Sequence, residues 1–545
     1  MVIILVKKEM VVIGAGPAGL SSAIEAAQKG VEVLLVDENL KAGGQLFKQI
    51  HKFFGSSDHY AGIRGINIGK KLINETRKLG VDIWLNSIVV GIFEEKQILI
   101  KRNINGKEIL NTVQADKIII ASGASEKVIN FKNWTLPGVM GAGAAQTMIN
   151  VHRVLPGERF LMVGTGNVGL IVSYQLLQAG AEVVGLIDAA AKVGGYDVHA
   201  AKIARKGVPF YLNHTIIKAI GNEKEGVTGA VIAEVDNNWE PILGSEKELK
   251  ADVISLAAGL KPLSELASMA GCKRIYISEL GGWVPLHNEN MESTVPGIYV
   301  VGEVTGVEEA NTALEEGRLA GIDVAEKLER ITTKESSNKK NSIINRLTNL
   351  RLGPFGEKRL KAKEKLIEEY YKIKGEVYQC NFDSAKKAMQ YSGEKENCKT
   401  TNSTDEYQGP IAVVECNQEI PCNPCELACQ FGAIKIGDPI TNIPILDEEK
   451  CIGCGLCLPN CPGLAIFLID RNYSPDKSTV AFPYEYQHIP QKGDIVNAVD
   501  RQGNYLCEAE VIKVLKLEKF DKTPIITISV PDKYIDDARN IKISD

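Results

Sequence analysis

Long apolar runs are missing from this chain of 545 residues. No stretch approaches the roughly 20 residues a helix needs to cross a bilayer, so no membrane span is expected. An excess of one charge is missing too: 63 Lys and Arg stand against 68 Asp and Glu, a formal net charge of −5. That balance offers nothing to a polyanion, and no nucleic-acid partner is expected. The opening Met1–Lys8 has no basic n-region and runs directly into a strand pattern. A signal peptide is therefore not expected, and the chain is predicted to be cytoplasmic. Hydrolase signatures are absent as well, with no G-x-S-x-G and no H-E-x-x-H. Cysteine is scarce outside one segment. Of 12, Cys272, Cys380, Cys398 and Cys507 stand alone and read as ordinary thiols. The other eight fall between Cys416 and Cys461, which is metal spacing rather than the disulfide framework of a secreted fold.

What is present points first to Met10–Gln45. It reads as a strand, the turn Gly14-Ala-Gly16-Pro17-Ala18-Gly19, a helix of small residues, and a second strand ending at Asp37-Glu38. Gly14 allows the tight turn, Gly16 lets backbone approach a pyrophosphate, and Gly19 lets the helix pack close on the strand. Phosphates then meet unpaired N–H groups at the helix N-terminus. Asp37, with Glu38 beside it, is placed for ribose hydroxyls. The paired glycines before Gln45, Gly43 and Gly44, permit a close backbone pass beside a cofactor. His51, His59 and Arg64, in a loop expected near the ring system, read as structural. Lys117–Gly123 reads as a buried parallel strand returning under the dinucleotide, so Ala121 and Gly123 join the cofactor-binding candidates.

The pattern then repeats. Gly164-Thr-Gly166-Asn167-Val168-Gly169 follows a strand, and the next strand ends at Asp188. Asp37 lies 18 residues beyond its third glycine and Asp188 lies 19 beyond its own. A one-residue slip turns a strand side chain to the opposite face, which weakens Asp188 as a ribose ligand. This second fold takes NAD or another adenine nucleotide, or serves structure alone. No arginine pair follows the strand for a 2′-phosphate, which favours NAD over NADP. Thr294–Gly302 is a further strand, and Gly302 and Glu303 at its end face the flavin site in this reading.

Residues 8–330 resemble the two-dinucleotide-fold flavoproteins of the pyridine nucleotide–disulfide reductase type. Within them the likeness is to the B-type chain of hydrogen cyanide synthase, the A-type chain of opine oxidase, and the alpha chains of sarcosine oxidase and archaeal proline dehydrogenase. Gly43-Gly-Gln45, Trp134–Met140 with Gly143-Ala-Ala-Gln146, Gly281-Gly-Trp283 and Glu316–Gly321 carry it. The resemblance implies FAD on the first fold. It also implies a partner, an amino-acid-oxidase-like flavoprotein subunit, with a small ferredoxin-like subunit or soluble ferredoxin as a further carrier. Glu303 departs from the Asp usual there, so its contact with the flavin is expected to be longer or bridged by water. The reductases' C-x-x-C pair is also missing, since residues 1–330 hold only Cys272. Dithiol chemistry is thereby excluded.

Beyond a Lys/Ser/Asn stretch at Thr332–Asn341, read as a linker, Ile343–Lys374 is predicted helical with a solvated basic face. Glu394–Glu406 reads as a polar loop. Then come Cys416, Cys422, Cys425 and Cys429, followed by Cys451, Cys454, Cys457 and Cys461 before Pro462. The second run matches the bacterial ferredoxin spacing C-x2-C-x2-C-x3-C-P. The first run stretches its opening gap to five residues and ends on Gln430 instead of proline. In a two-cluster fold the last cysteine of each run serves the other cluster. One [4Fe–4S] centre is thus assigned Cys416, Cys422, Cys425 and Cys461, the other Cys429, Cys451, Cys454 and Cys457. Zinc is the alternative reading of C-x-x-C pairs, and four cysteines per run weigh against it.

The expected fold is α/β, with two Rossmann-like folds, one inserted in the other, then a ferredoxin-like α+β module and a small β-domain. The predicted boundaries are 1–155 and 261–330 for the FAD-binding domain and 156–260 for the insert. A helical linker region at 331–410, the iron–sulfur module at 411–472 and the β-domain at 473–545 complete the chain. Joining a flavin to iron–sulfur centres makes a converter between two-electron and one-electron chemistry. The sequence therefore suggests the electron-transfer subunit of an amino- or imino-acid dehydrogenase complex, with no catalytic side chain of its own assigned. A stand-alone NAD(P)H:ferredoxin or acceptor oxidoreductase is the alternative.

Overall fold

The computed structural model describes residues 4–376 and 409–543. Cys380, Cys398 and the stretch Glu394–Glu406 lie outside the described residues. The strand Ile4–Ile13 sits centrally in a seven-stranded sheet. It pairs in parallel with Val33–Val36 on one side and Lys107–Ile120 on the other. The strand Ile298–Val300 returns late in the chain and joins Lys107–Ile120, also in parallel. Such a strand is buried on both faces and reads as a continuous apolar run. Met10 and Val12 face one core, while Val11 and Ile13 face the other. The chain leaves Ile4–Ile13 at a reversal of strand order, where ligands of open α/β sheets bind.

The inserted fold has its own parallel sheet of five strands, with Arg159–Val163 between Glu182–Asp188 and Val253–Leu256. Three antiparallel strands spanning His214–Lys250 flank it. The long helix Ala310–Lys327 packs on the first helix, Pro17–Ala27, and glycine permits the closeness. A Cβ at Gly317 would lie 2.1 Å from the Ala18 carbonyl oxygen. One at Gly321 would lie 2.6 Å from that of Ser22.

The Lys/Ser/Asn stretch is not a linker. It opens the helix Thr333–Leu350, with the Thr332 hydroxyl accepting from the Glu335 N–H at 3.2 Å. Capping of this kind gives an acceptor to one of the unpaired N–H groups at a helix start. Lys340 then pairs with Asp323 and Glu326 on the helix below. Nor is the basic face that follows simply solvated. Arg351 is buried and donates to Glu308 at 2.7 Å and to Glu316 at 2.6 Å. Lys363, also buried, reaches Glu316 at 2.9 Å. Burial alone would raise the Glu316 pKa, but Lys363 and Arg351 hold it down at about 2. Replacing Arg351 by Ala leaves the enclosed carboxylates of Glu308 and Glu316 to share the single charge of Lys363. The expected loss of stability is about 3–5 kcal/mol, to be read from denaturant unfolding.

The C-terminal part is one antiparallel sheet of seven strands. The strands Ile411–Val414 and Ile466–Ser474 flank the cysteine segment and pair with each other. Ile466–Ser474 then pairs with Lys477–Pro483 of the small β-domain. The iron–sulfur module and the β-domain therefore share a continuous sheet, and the strand crosses the boundary expected at 472. Among the described residues no helix is long and apolar enough to cross a membrane.

Candidate functional site

The first glycine turn is built as a close-fitting cradle. Gly14 has φ +104°, and a Cβ there would sit 2.3 Å from the Ala121 carbonyl oxygen. One at Gly19 would sit 1.8 Å from the Gly14 carbonyl oxygen. Gly44 closes over the turn from the other side, where a Cβ would meet the Gly16 Cα at 2.6 Å. Pro17 has no N–H to offer, so the free N–H groups at the start of the helix begin at Ala18, where they can meet an anion. Asp37 is buried and already engaged. One carboxylate oxygen accepts from the Ala15 N–H at 2.6 Å, the other from the Asn39 N–H at 2.8 Å. It shapes the glycine loop, and Glu38 beside it is exposed. Gln45 is exposed as the turn Gly44–Lys48 begins. The Gly123 carbonyl accepts from the Leu263 N–H at 3.0 Å, which ties the end of the strand carrying Ala121 to the later part of the fold. The Gly302 N–H donates to Glu316 at 2.9 Å. Burial and the nearby Glu309 push Glu303 up to about 7, against the pull of Lys48.

The second turn repeats this geometry. Gly164 has φ +109°, with the Ala257 carbonyl oxygen 2.4 Å from a would-be Cβ. Gly169 packs on Gly164 as Gly19 does on Gly14. The extra residue before Asp188 does not turn its side chain away. Pairing of the strand with Arg159–Val163 skips Val184, and the bulge restores the register. Asp188 accepts from the Thr165 N–H at 2.8 Å and the Ala190 N–H at 2.9 Å, matching Asp37. The position after it differs: Ala189 stands where the first fold has Glu38. Asn167 ties the turn down, its amide donating to Glu309 at 3.0 Å while its oxygen accepts the Tyr196 N–H at 2.8 Å. Val168 stands exposed. Sequence reasoning missed one feature here. Lys192-Val-Gly194-Gly195 follows Asp188 at the same offset as Lys41-Ala-Gly43-Gly44 follows Asp37. Comparing the two repeats in register would have exposed it.

The eight cysteines ring two separate cavities. Cys416, Cys422, Cys425 and Cys461 line an inner one, which Phe54 and Val198 close from the two nucleotide folds. Cys429, Cys451, Cys454 and Cys457 line an outer one, with Phe431 and Ile452. Each ring draws three thiols from one run and one from the other. Among the described residues no three His, Cys, Asp or Glu side chains close on a single-ion site. Burial and the facing thiols push Cys416 and Cys457 up to about 12. Thiols so enclosed give up their protons to bound metal, whose charge inverts the local balance.

Sequence reasoning also missed the polar junction around the inner cavity. Lys52, Arg64, Lys202 and Arg205 are all buried there. Lys52 donates to the Pro459 carbonyl at 2.5 Å, Lys202 to that of Pro462 at 2.7 Å, and Arg205 to that of Leu464 at 3.2 Å. Arg64 pairs with the enclosed carboxylate of Glu485 at 2.9 Å. Four buried cations against Glu485 and the partly exposed Asp521, 3.3 Å from Arg64, leave positive charge beside the inner thiol ring. A buried charge needs a partner, and an anionic iron–sulfur centre held by these thiols would supply one. The structural role expected for Arg64 is thus a bridge to the β-domain. His59 lies 3.2 Å from Glu315, and His51 stacks on Phe53. Cys272 is buried against the Ser293 hydroxyl, and Cys507 is half-buried on the β-domain.

Residues 8–317, more than half of the chain, match the pyridine nucleotide-disulphide oxidoreductase family. The chain belongs to that family. Residues 444–467 match the 4Fe-4S binding domain. The chain is 28% identical to the A-type chain of opine oxidase from Agrobacterium tumefaciens, over 60% of its own length and 67% of that protein's. It is 27% identical to the HcnB chain of hydrogen cyanide synthase from Pseudomonas aeruginosa, over 62% and 75% respectively. To the alpha chain of sarcosine oxidase from a Corynebacterium species it is 27% identical, over 59% of this chain and 32% of that one. This family member is an FAD-dependent oxidoreductase carrying a 4Fe-4S domain, related to subunits of multi-subunit oxidases.

Proposed function

We propose that the chain is the electron-transfer subunit of an amino- or imino-acid dehydrogenase complex. FAD sits on the fold of Gly14–Gly19, and a [4Fe–4S] centre sits in each thiol ring. A bound flavin exchanges two electrons or one, and a four-iron centre exchanges one, so together they interconvert the two kinds of transfer. The observation that carries the reading is the join between the FAD fold and the inner ring. Phe54 lines the inner cavity, and the next residue, Gly55, accepts the Asn423 N–H at 3.0 Å, beside Cys422. The chain's own residues do the positioning. The glycine turn and Glu38 hold the dinucleotide, while Phe54 and Val198 keep water from the inner ring.

The second fold keeps a complete glycine turn but no counterpart of Glu38, which supports a weaker nucleotide site, with NAD the favoured occupant. That turn is also what favours the second reading, an NAD(P)H:acceptor oxidoreductase working alone. Purifying the protein from its native source separates the two. A copurifying substrate-oxidising subunit supports the complex, and a chain that purifies alone while reducing ferredoxin with NADH supports the alternative. The cofactor on the first fold has its own test. Denaturation should release FAD. Gly19→Val should purify without flavin, because its Cβ has no space. Glu38→Ala should fold and bind FAD roughly tenfold or more weakly by fluorescence titration, the loss of a charge-assisted hydrogen bond.

A further inference from the structure

We infer that Lys52 and Lys202, at the polar junction, are positioning residues that raise the reduction potential of the inner centre, so that electrons collect beside the flavin. The inference rests on the proposed four-iron centres. Both lysines are almost fully enclosed, at 5% and 2% exposure. They grip the Pro459 and Pro462 carbonyls, on either side of Cys461 in sequence. Lys52 comes from the FAD fold and Lys202 from the insert, so each nucleotide fold contributes one charge to the same loop.

Reduction adds negative charge to a centre, and burial opposes that change because little solvent responds to it. A positive charge nearby offsets the penalty, and in a low dielectric the offset is large. Arg205 adds to it from the Leu464 carbonyl, while Glu485, held by Arg64, works against it. Among the described residues the outer ring has no comparable arrangement. The cation lining it, Lys450, is exposed and paired with Asp447. The two centres therefore differ in electrostatic setting although their ligands are alike. Without the lysines the inner centre would be the harder of the two to reduce. With them it becomes a usable step between the flavin and the outer centre.

The test is a redox titration of the holoprotein followed by paramagnetic resonance, with the outer signal identified as the one lost in Cys454→Ala. In Lys202→Met and Lys52→Met the inner signal should titrate at lower potential. The expected shift is at least tenfold in the reduction equilibrium, ~59 mV for one electron. The outer signal should stay within a third of that. Lys202→Arg keeps the charge and should restore the potential, which a merely structural role would not require. Should the methionine variants fold poorly, Glu485→Gln supplies the opposite sign, since removing the opposing acid should shift the inner signal upward. An unmoved inner potential in these variants, or equal movement of both signals, overturns the inference. A wild-type holoprotein with no iron overturns instead the proposed centres on which it stands.

Discussion

Purified anaerobically, the chain should carry about eight iron and about eight labile sulfide per polypeptide, from two four-iron centres. Cys454→Ala should lose half of each. Cys454 is the exposed thiol of the outer ring, so its removal opens no cavity in the apolar core. The variant should keep its fold, its FAD and one paramagnetic signal on reduction. Its transfer of electrons from the flavin to one-electron acceptors should fall to background, since in the proposed path the outer centre is the exposed one. A buried ligand offers no such clean separation. Cys461 lies within the packed core between the Lys52 and Lys202 contacts, and its loss should disturb the junction as well as the inner centre. Stoichiometric zinc without iron in the wild type would refute the centres, and so would a Cys454→Ala variant that still delivers electrons at the wild-type rate.

What could be read from the sequence was local or repeated. The glycine turn at Gly14–Gly19 needs neighbours only a few residues away, and so does the spacing within each cysteine run. The pairing of Cys461 with the first run and Cys429 with the second follows from a recurrent topology. Register was harder. Counting from the third glycine set Asp188 one residue out, and only the bulge at Val184 brings it into the place that Asp37 holds. A bulge answers to sheet packing, which one strand's sequence does not record. Thr332–Asn341 failed for another reason. Lys, Ser and Asn are linker residues by composition, but here Thr332 caps a helix and Lys340 meets two acids on a helix that precedes it. The polar junction was beyond any local reading. Lys52, Lys202 and Glu485 each look like a surface residue in its own segment, and only the docking of three parts of the chain puts them together.

The isolated chain should not oxidise amino or imino acids such as proline, sarcosine or glycine derivatives. It has a flavin cradle, a second nucleotide turn and two thiol rings, but residues 1–330 offer no dithiol, only the buried Cys272. The carboxyl that burial raises near the flavin site, Glu303, lies beside Glu309, with Lys48 opposing the shift. The outer ring, by contrast, is made for contact. Leu427, Phe431, Ile445 and Ile452 are all exposed around it. Apolar side chains gathered beside a redox centre suit a lasting subunit interface better than a solvated surface. A substrate-oxidising flavoprotein partner there would feed electrons to the outer ring, then the inner ring, then the FAD. Reconstituting the two chains should therefore restore substrate-dependent bleaching of this chain's flavin, while either alone should show none. Slow dye reduction with NADH should survive in the isolated chain, since it needs only the flavin and the second nucleotide turn. If instead no partner copurifies and the isolated chain turns over NADH with ferredoxin at roughly 1–1,000 per second, the range of ordinary enzymes, the complex is wrong and the stand-alone oxidoreductase takes its place.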